Sequence, residues 1–525
     1  MTTDSTTLAI ANNLFESVAN EMGTVMLLSA YSSIAREAKD TSTCILDPQG
    51  RVVSQSIMIP MHMNSLAMAV RGWQESFDFA DSAEDDIYVM NHPYHYGQHL
   101  NDIILLMPIF HEGRLCGFSG SISHHVDIGG GAVMNAHASQ LYQEGLILPP
   151  LRVKQDMVFD GGPIEKIIAA NVRVPSLVIG DFRAQFFACR RGRTLLQGMT
   201  GRYGVDTVIQ WMADLQDYAE RTMRSAIRNI PDGVYDAEDF CDPLLPNAAP
   251  PRIHVRITIA GDAAEIDLSG SSDQIAGPIN SPIASTHSAV YTLFVSLVDV
   301  EAMVNDGSYR PIEVTTRRGS VCDPEYPIAV RNRMTTSYRI YSASRKALAE
   351  VVPDRVAAAG HDATTSVVFT QNHRGKRHVF QEVIGGGLGA SVKGNGCDGI
   401  AQPLSNTGNT PVEVTENETD FLRIRSYELI TDSGGEGLYR GGMGIRKVFE
   451  VTGEGVSFSS TGDRCTYPPQ GMNGGGPGRA ASVTLEREGS TVNLGAHNTR
   501  EAIPGDVYGI ETCGGGGWGQ LENEQ

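Results

Sequence analysis

Residues 91–150 constrain this chain more than any other stretch. They contain two apolar runs of strand length, IILLMPIF and LCGFSGSIS, joined by HEGR. Such a pair of runs around a short polar turn predicts an antiparallel hairpin. The same stretch holds seven of the fourteen histidines: His92, His95, His99, His111, His124, His125 and His137. The hairpin places His99 and Asp102 just before its first strand and residues 124–127 at the end of its second. Antiparallel pairing brings those two ends together. Imidazole and carboxylate gathered there, beside the glycine triplet 129–131, predict a ligand set for a divalent metal. Zinc, manganese and iron all accept such donors at roughly 2.0–2.2 Å.

Each candidate has a reason. His99 and Asp102 stand three apart in HLND and share a face if that segment is a helical turn. In an extended segment His124 and His125 point to opposite faces, so one of them joins His99. His124 is the expected ligand. His125 is then expected as a donor to a ligand or as an acid/base toward substrate. Asp127 is the second catalytic candidate, with capping of the glycine turn as its alternative role. A further carboxylate is expected from the segment that follows the first helix, Asp40 by preference and Glu37 in reserve.

With 525 residues the chain is too long for one ordinary core, and roughly two to four domains are expected. Hydrophobic residues at 41% and charged residues at 19% mark a globular composition. The net charge of −20 argues against nucleic acid or an anionic membrane surface as partner. No apolar run approaches the roughly 18 residues of a membrane helix, and MTTDSTTLAI lacks the pattern of a secretory signal. Eight cysteines are scattered singly without a CxxC pair, which predicts reduced thiols and a cytoplasmic protein. There is no GxxxxGK[ST] loop and no GxSxG elbow. GGGLG and GGMGIR lack the strand–helix setting of a dinucleotide site and read as β turns.

These signals predict an α+β, multidomain chain. Residues 1–232 read as a mixed α/β domain with the histidine-rich site. It opens with a helix over 8–38, capped by Thr6 or Thr7, and a strand pair around DPQG. The breaker PDG at 231–233 ends a helix over 205–230 and sets the first boundary. Residues 233–380 alternate strands and helices. Residues 381–525 are short strands between glycine clusters and read as a β domain.

Long segments of the chain are similar to one family. NHPYHYGQHLND, SHHVDIGG, LYQEGLILPP, GPINSPIASTHSAVY, TDSGGEGLYRGGMGIR, GDRCTYPPQGMNGGGPG and GDVYGIETCGGGGWG together resemble the hydantoinase B / 5-oxoprolinase family, which includes related ketone carboxylase subunits. Three departures stand out. The family usually shows NDPY where this chain has His92, and proline where it has Asn101. It also shows a Thr-Glu pair where this chain has Ser139 and Gln140. The resemblance implies a metal-bearing B-type subunit that works with an actin-like, A-type ATPase subunit in a hetero-oligomer. In that division of labour the companion binds ATP and Mg and phosphorylates a small cyclic amide, and the B-type subunit completes the ring opening. A ketone carboxylase subunit of the acetophenone or acetone type is the alternative within the family. A non-catalytic scaffold for the ATPase is the alternative outside it.

Overall fold

The computed structural model describes residues 3–521 except 57, 246–247 and 300–301. It is a mixed α and β structure with four sheets.

The histidine-rich hairpin forms the middle of a six-stranded sheet, ordered β2-β1-β5-β4-β3-β6. Its strands are β1 (Thr41–Leu46), β2 (Val52–Gln55), β3 (Asp86–Met90), β4 (Asp102–His111), β5 (Arg114–His124) and β6 (Leu151–Lys154). The continuous apolar runs follow from burial on both faces. Ile103, Leu105 and Met107 pack with Phe182 and Phe186 of the helix Pro175–Tyr203. Ile104, Leu106, Phe118 and Ile122 pack on the other face with Leu66, Ala69 and Trp73 of the helix Ser65–Gln74. At about 25 cal/mol per Å² of apolar surface, burial of both faces stabilises this hairpin.

The first helix is shorter than the periodicity predicts. It runs Ser5–Ser29, capped by Asp4 rather than by Thr6 or Thr7. It stops because the Tyr31 and Ser32 N–H groups donate to Asp181 Oδ1 at 2.7 and 3.1 Å, from the helix Pro175–Tyr203. A one-turn helix, Ser33–Arg36, follows, and the chain then turns inward to start β1 beside β5. That break carries Asp40 to the open end of the hairpin.

A second, four-stranded sheet, β10-β9-β8-β7, is built from β7 (Gly233–Phe240), β8 (Arg252–Ala260), β9 (Ala263–Asp267) and β10 (Ile312–Thr315). The helices Ile283–Leu297 and Met334–Leu348 contribute to the same core.

The C-terminal strands are β11 (Thr365–His373), β12 (Lys376–Ile384), β13 (Leu422–Leu429), β14 (Ile445–Val451), β15 (Val456–Thr461), β16 (Ser482–Arg487), β17 (Ser490–Asn493), β18 (Asn498–Ala502) and β19 (Val507–Glu511). They form two sheets that share a core containing Phe369, Phe449, Phe458 and Tyr508. The expected boundary at 380 falls inside β12, because the hairpin β11–β12 already belongs to this sheet pair. The glycine clusters, which set that expectation, begin only after the hairpin ends. They pack backbone against backbone. A Cβ on Gly442 would lie 1.9 Å from the Cys397 carbonyl oxygen, so no larger residue fits there.

Candidate metal centre

Asp102 opens β4 and His124 closes β5, and the two are register partners across the hairpin. Period-two alternation places both on the face shared by Ile104 and Ile122. His99 lies one turn before β4. The turn is a β-turn rather than a turn of helix, closed by Asp102 N–H on the His99 carbonyl at 2.9 Å. It still folds the His99 ring back over Asp102.

Three donor atoms converge. His99 Nε2 lies 2.9 Å from Asp102 Oδ1 and 3.1 Å from His124 Nδ1. His124 Nδ1 lies 3.3 Å from the same Asp102 oxygen. All three residues are buried. Donors bound to one ion at roughly 2.0–2.2 Å sit roughly 3–3.5 Å from each other, so these separations fit a shared cation. The hydrogen-bonding around the trio fits as well. His99 Nδ1 faces the Arg331 carbonyl at 2.9 Å, and donating its proton there leaves the Nε2 lone pair turned to the cluster. Arg333 binds the other oxygen of Asp102 at 2.7 Å. The amide of Gln381 lies 3.3 Å from His124 Nε2, and turning its oxygen to that N–H leaves Nδ1 free.

The charge states suit metal binding, which requires neutral imidazole and ionised carboxylate. Burial, with the positive Arg333 next, pushes His99 down to about 3. Burial opposes ionisation of Asp102, yet the donor and positive groups around it, Arg333 among them, hold its carboxyl well below the usual carboxylate range.

Asp40 stands at the edge of this group, with Oδ2 3.8 Å from His124 Nδ1. Burial raises its pKa against the pull of His124 and His62. Glu37, the reserve, instead accepts from Arg36 Nε at 2.9 Å. His99, His124 and Asp40 line one cavity with His62, Arg333 and Gln381. One wall of it is apolar, from Ile59, Met61, Met134, Met334 and Val383, and Ser366, Thr407 and Thr461 supply hydroxyls.

His125 and Asp127, expected as catalytic, do not line this cavity. The alternation that turns His124 inward turns His125 to the opposite side of the sheet. There it is fully buried against Phe182, and Nε2 bonds Gln185 Oε1 at 3.0 Å. Asp127 accepts from the Gly129 N–H at 3.0 Å and pairs with Arg173 at 2.9 Å. It ties the glycine turn down, which is the capping role. Of the remaining histidines, His92 and His95 join Tyr94 and Tyr326 in a separate aromatic group.

Sequence reasoning missed His62, Arg333 and Gln381. His62 is 2% exposed, with Nδ1 3.3 Å from Ser42 Oγ and Nε2 3.7 Å from Asp102 Oδ2. One signal was present: a lone histidine inside the apolar run IPMHM must find polar partners if buried. Arg333 and Gln381 reach the hairpin from sequence separations of 231 and 257 residues, and no local pattern marks them.

A hydantoinase B/oxoprolinase model matches residues 4–521, and the chain belongs to that family. The putative B component of a D-/L-hydantoinase from a Pseudomonas species (strain NS671) is 30% identical over 543 residues, 99% of this chain and 91% of that one. The crystal structure of the ATP-dependent caprolactamase from Pseudomonas jessenii matches with a TM-score of 0.88 at 27% identity, covering 99% of this chain and 92% of that chain. A nucleotide-free acetone carboxylase structure shares the fold, with a TM-score of 0.88 at 18% identity over 97% of this chain and 76% of that chain. No helix among the described residues is long and apolar enough to cross a membrane.

Proposed function

We propose that this chain is the metal-bearing B-type subunit of an ATP-dependent enzyme that opens a small cyclic amide: a hydantoin, 5-oxoproline or a lactam. The observation that carries the reading is the convergence of His99, Asp102 and His124 on one point at the edge of a small cavity. The relatives named as hydantoinase and caprolactamase supply the reaction class. Asp40 is proposed as the additional carboxylate. His99, Asp102 and His124 would hold a divalent zinc, manganese or iron ion, which would supply Lewis-acid polarisation and lower the pKa of a water.

The chain's own residues do the rest. His99 Nε2 and His124 Nδ1 face the point where the ion would sit, and Arg333 keeps Asp102 oriented by occupying its second oxygen. The methionine wall of the cavity seats the methylene side of a ring and keeps bulk water away, while Ser366 and Thr461 bond its polar edge. The relative named as the B component of a hydantoinase supports a separate A-type subunit as the holder of ATP and Mg. We place the complex in the cytoplasm, in keeping with eight cysteines that are all unpaired.

A second reading, a ketone carboxylase subunit, is favoured by the shared fold with acetone carboxylase. The test is reconstitution with an A-type ATPase subunit from the same organism, followed by phosphate release against lactams, hydantoins and ketones. Release driven by a cyclic amide supports the hydrolase. Release driven only by a ketone with bicarbonate overturns it in favour of the carboxylase.

A further inference from the structure

The ligand His99 is oriented by a carbonyl from a distant segment, and something must hold that carbonyl still. Glu144, in LYQEGLILPP, is 1% exposed and lies outside the cavity. Its Oε1 accepts two consecutive backbone N–H groups, Val330 at 3.0 Å and Arg331 at 2.8 Å. The Arg331 carbonyl is the group that receives His99 Nδ1. Two residues on, Arg333 bonds Asp102 at 2.7 Å and Gln98 at 2.9 Å.

The same two segments are laced together further along. Leu141 N–H donates to the Pro327 carbonyl at 2.7 Å and Ala329 N–H to the Ser139 carbonyl at 3.2 Å. Residues 139–144 and 327–333 therefore act as one strap, which delivers a carbonyl to His99 and a guanidinium to Asp102. Within the strap Glu144 is the side chain that grips the backbone nearest the site. Its other oxygen, Oε2, is buried with no hydrogen-bond partner, a cost that packing alone does not offset.

We propose that Glu144 is a positioning residue for the metal centre: by fixing the 330–331 backbone it sets the orientation of His99 and, through Arg333, of Asp102. The proposal rests on the metal reading of the trio. Glu144 touches neither the donor atoms nor the cavity, so it acts through the strap alone.

The experiment uses the full chain, stripped of metal and titrated with Co2+, reading affinity and the visible absorption band, with thermal melts alongside. Wild type is expected to bind Co2+ with a defined spectrum. Glu144→Ala is expected to weaken binding by about 10–100-fold, the usual effect of removing a group that orients a ligating histidine, and to shift the band. Glu144→Gln keeps an oxygen acceptor and is expected to restore affinity to within a few-fold. Glu144→Asp, which shortens the reach to both N–H groups, serves if the alanine variant does not fold, and is expected to weaken binding with the same band shift. Unchanged Co2+ affinity and spectrum in Glu144→Ala or Glu144→Asp, even with a lowered melting temperature, overturns the proposal. A wild-type chain that binds no Co2+ overturns the metal reading itself, and this proposal with it.

Discussion

Asp102 and His124 face each other as register partners at the open end of the β4–β5 hairpin, with Asp102 Oδ1 3.3 Å from His124 Nδ1. The next residue, His125, is carried to the opposite side of the sheet. One hairpin thus sends two adjacent histidines apart, His124 to the cavity lining and His125 to the core.

That separation predicts unlike mutants. His125→Ala removes a buried ring and strands Gln185, and should destabilise the fold by about 2–4 kcal/mol. Metal content should stay at the wild-type level. Denaturant melts paired with metal analysis check this; a large loss of turnover at unchanged stability would return His125 to the role of acid or base.

The glycines divide in the same way. Gly442→Ala would drive its Cβ into the Cys397 carbonyl, and Gly387→Ala would meet the Gly442 carbonyl at 2.0 Å. Both variants should fail to give soluble, cooperatively melting protein. Gly198, in the helix Pro175–Tyr203, has open space around it. Gly198→Ala should raise stability by about 0.5–1 kcal/mol. Equal melting of all three variants would contradict the close-packed backbone described for the C-terminal region.

Stability should fall in mild acid. His361 is fully buried between Cys513 Sγ at 3.0 Å and Thr365 Oγ1 at 2.9 Å. Burial pushes its pKa down to about 4, against the pull of Asp362. The unfolded chain, with an ordinary histidine near 6.5, then binds more protons below that pH, so stability is complete above about 6.5 and drains as pH falls toward 4. His361→Gln lacks this titration, and its unfolding midpoint should converge on that of wild type between pH 7.5 and 4.5. Parallel pH profiles would contradict the neutral, buried imidazole.

Legibility in the sequence followed the range of the interactions. The hairpin and the positions of His99, Asp102 and His124 rest on period-two alternation and one turn, which are local. Asp40 was within reach of the same reasoning, because the first helix must end before β1. Where it ends was not, since Asp181 stops it from a separation of 150 residues. Arg331, Arg333 and Gln381 come from segments that reveal nothing until the chain is folded. Alternation said that His124 and His125 diverge; only the folded chain shows that His124 lines the cavity and His125 meets Phe182 and Gln185.

The proposed function requires that His99, Asp102 and His124 together hold an ion needed for turnover. Metal content and affinity of purified wild type and His99→Ala, measured by plasma mass spectrometry and titration alongside turnover in the reconstituted complex, test it most directly. Wild type is expected to carry a divalent ion, and His99→Ala to bind it at least about tenfold more weakly and to lose turnover in parallel. A His99→Ala variant that keeps both its ion and its turnover would contradict it.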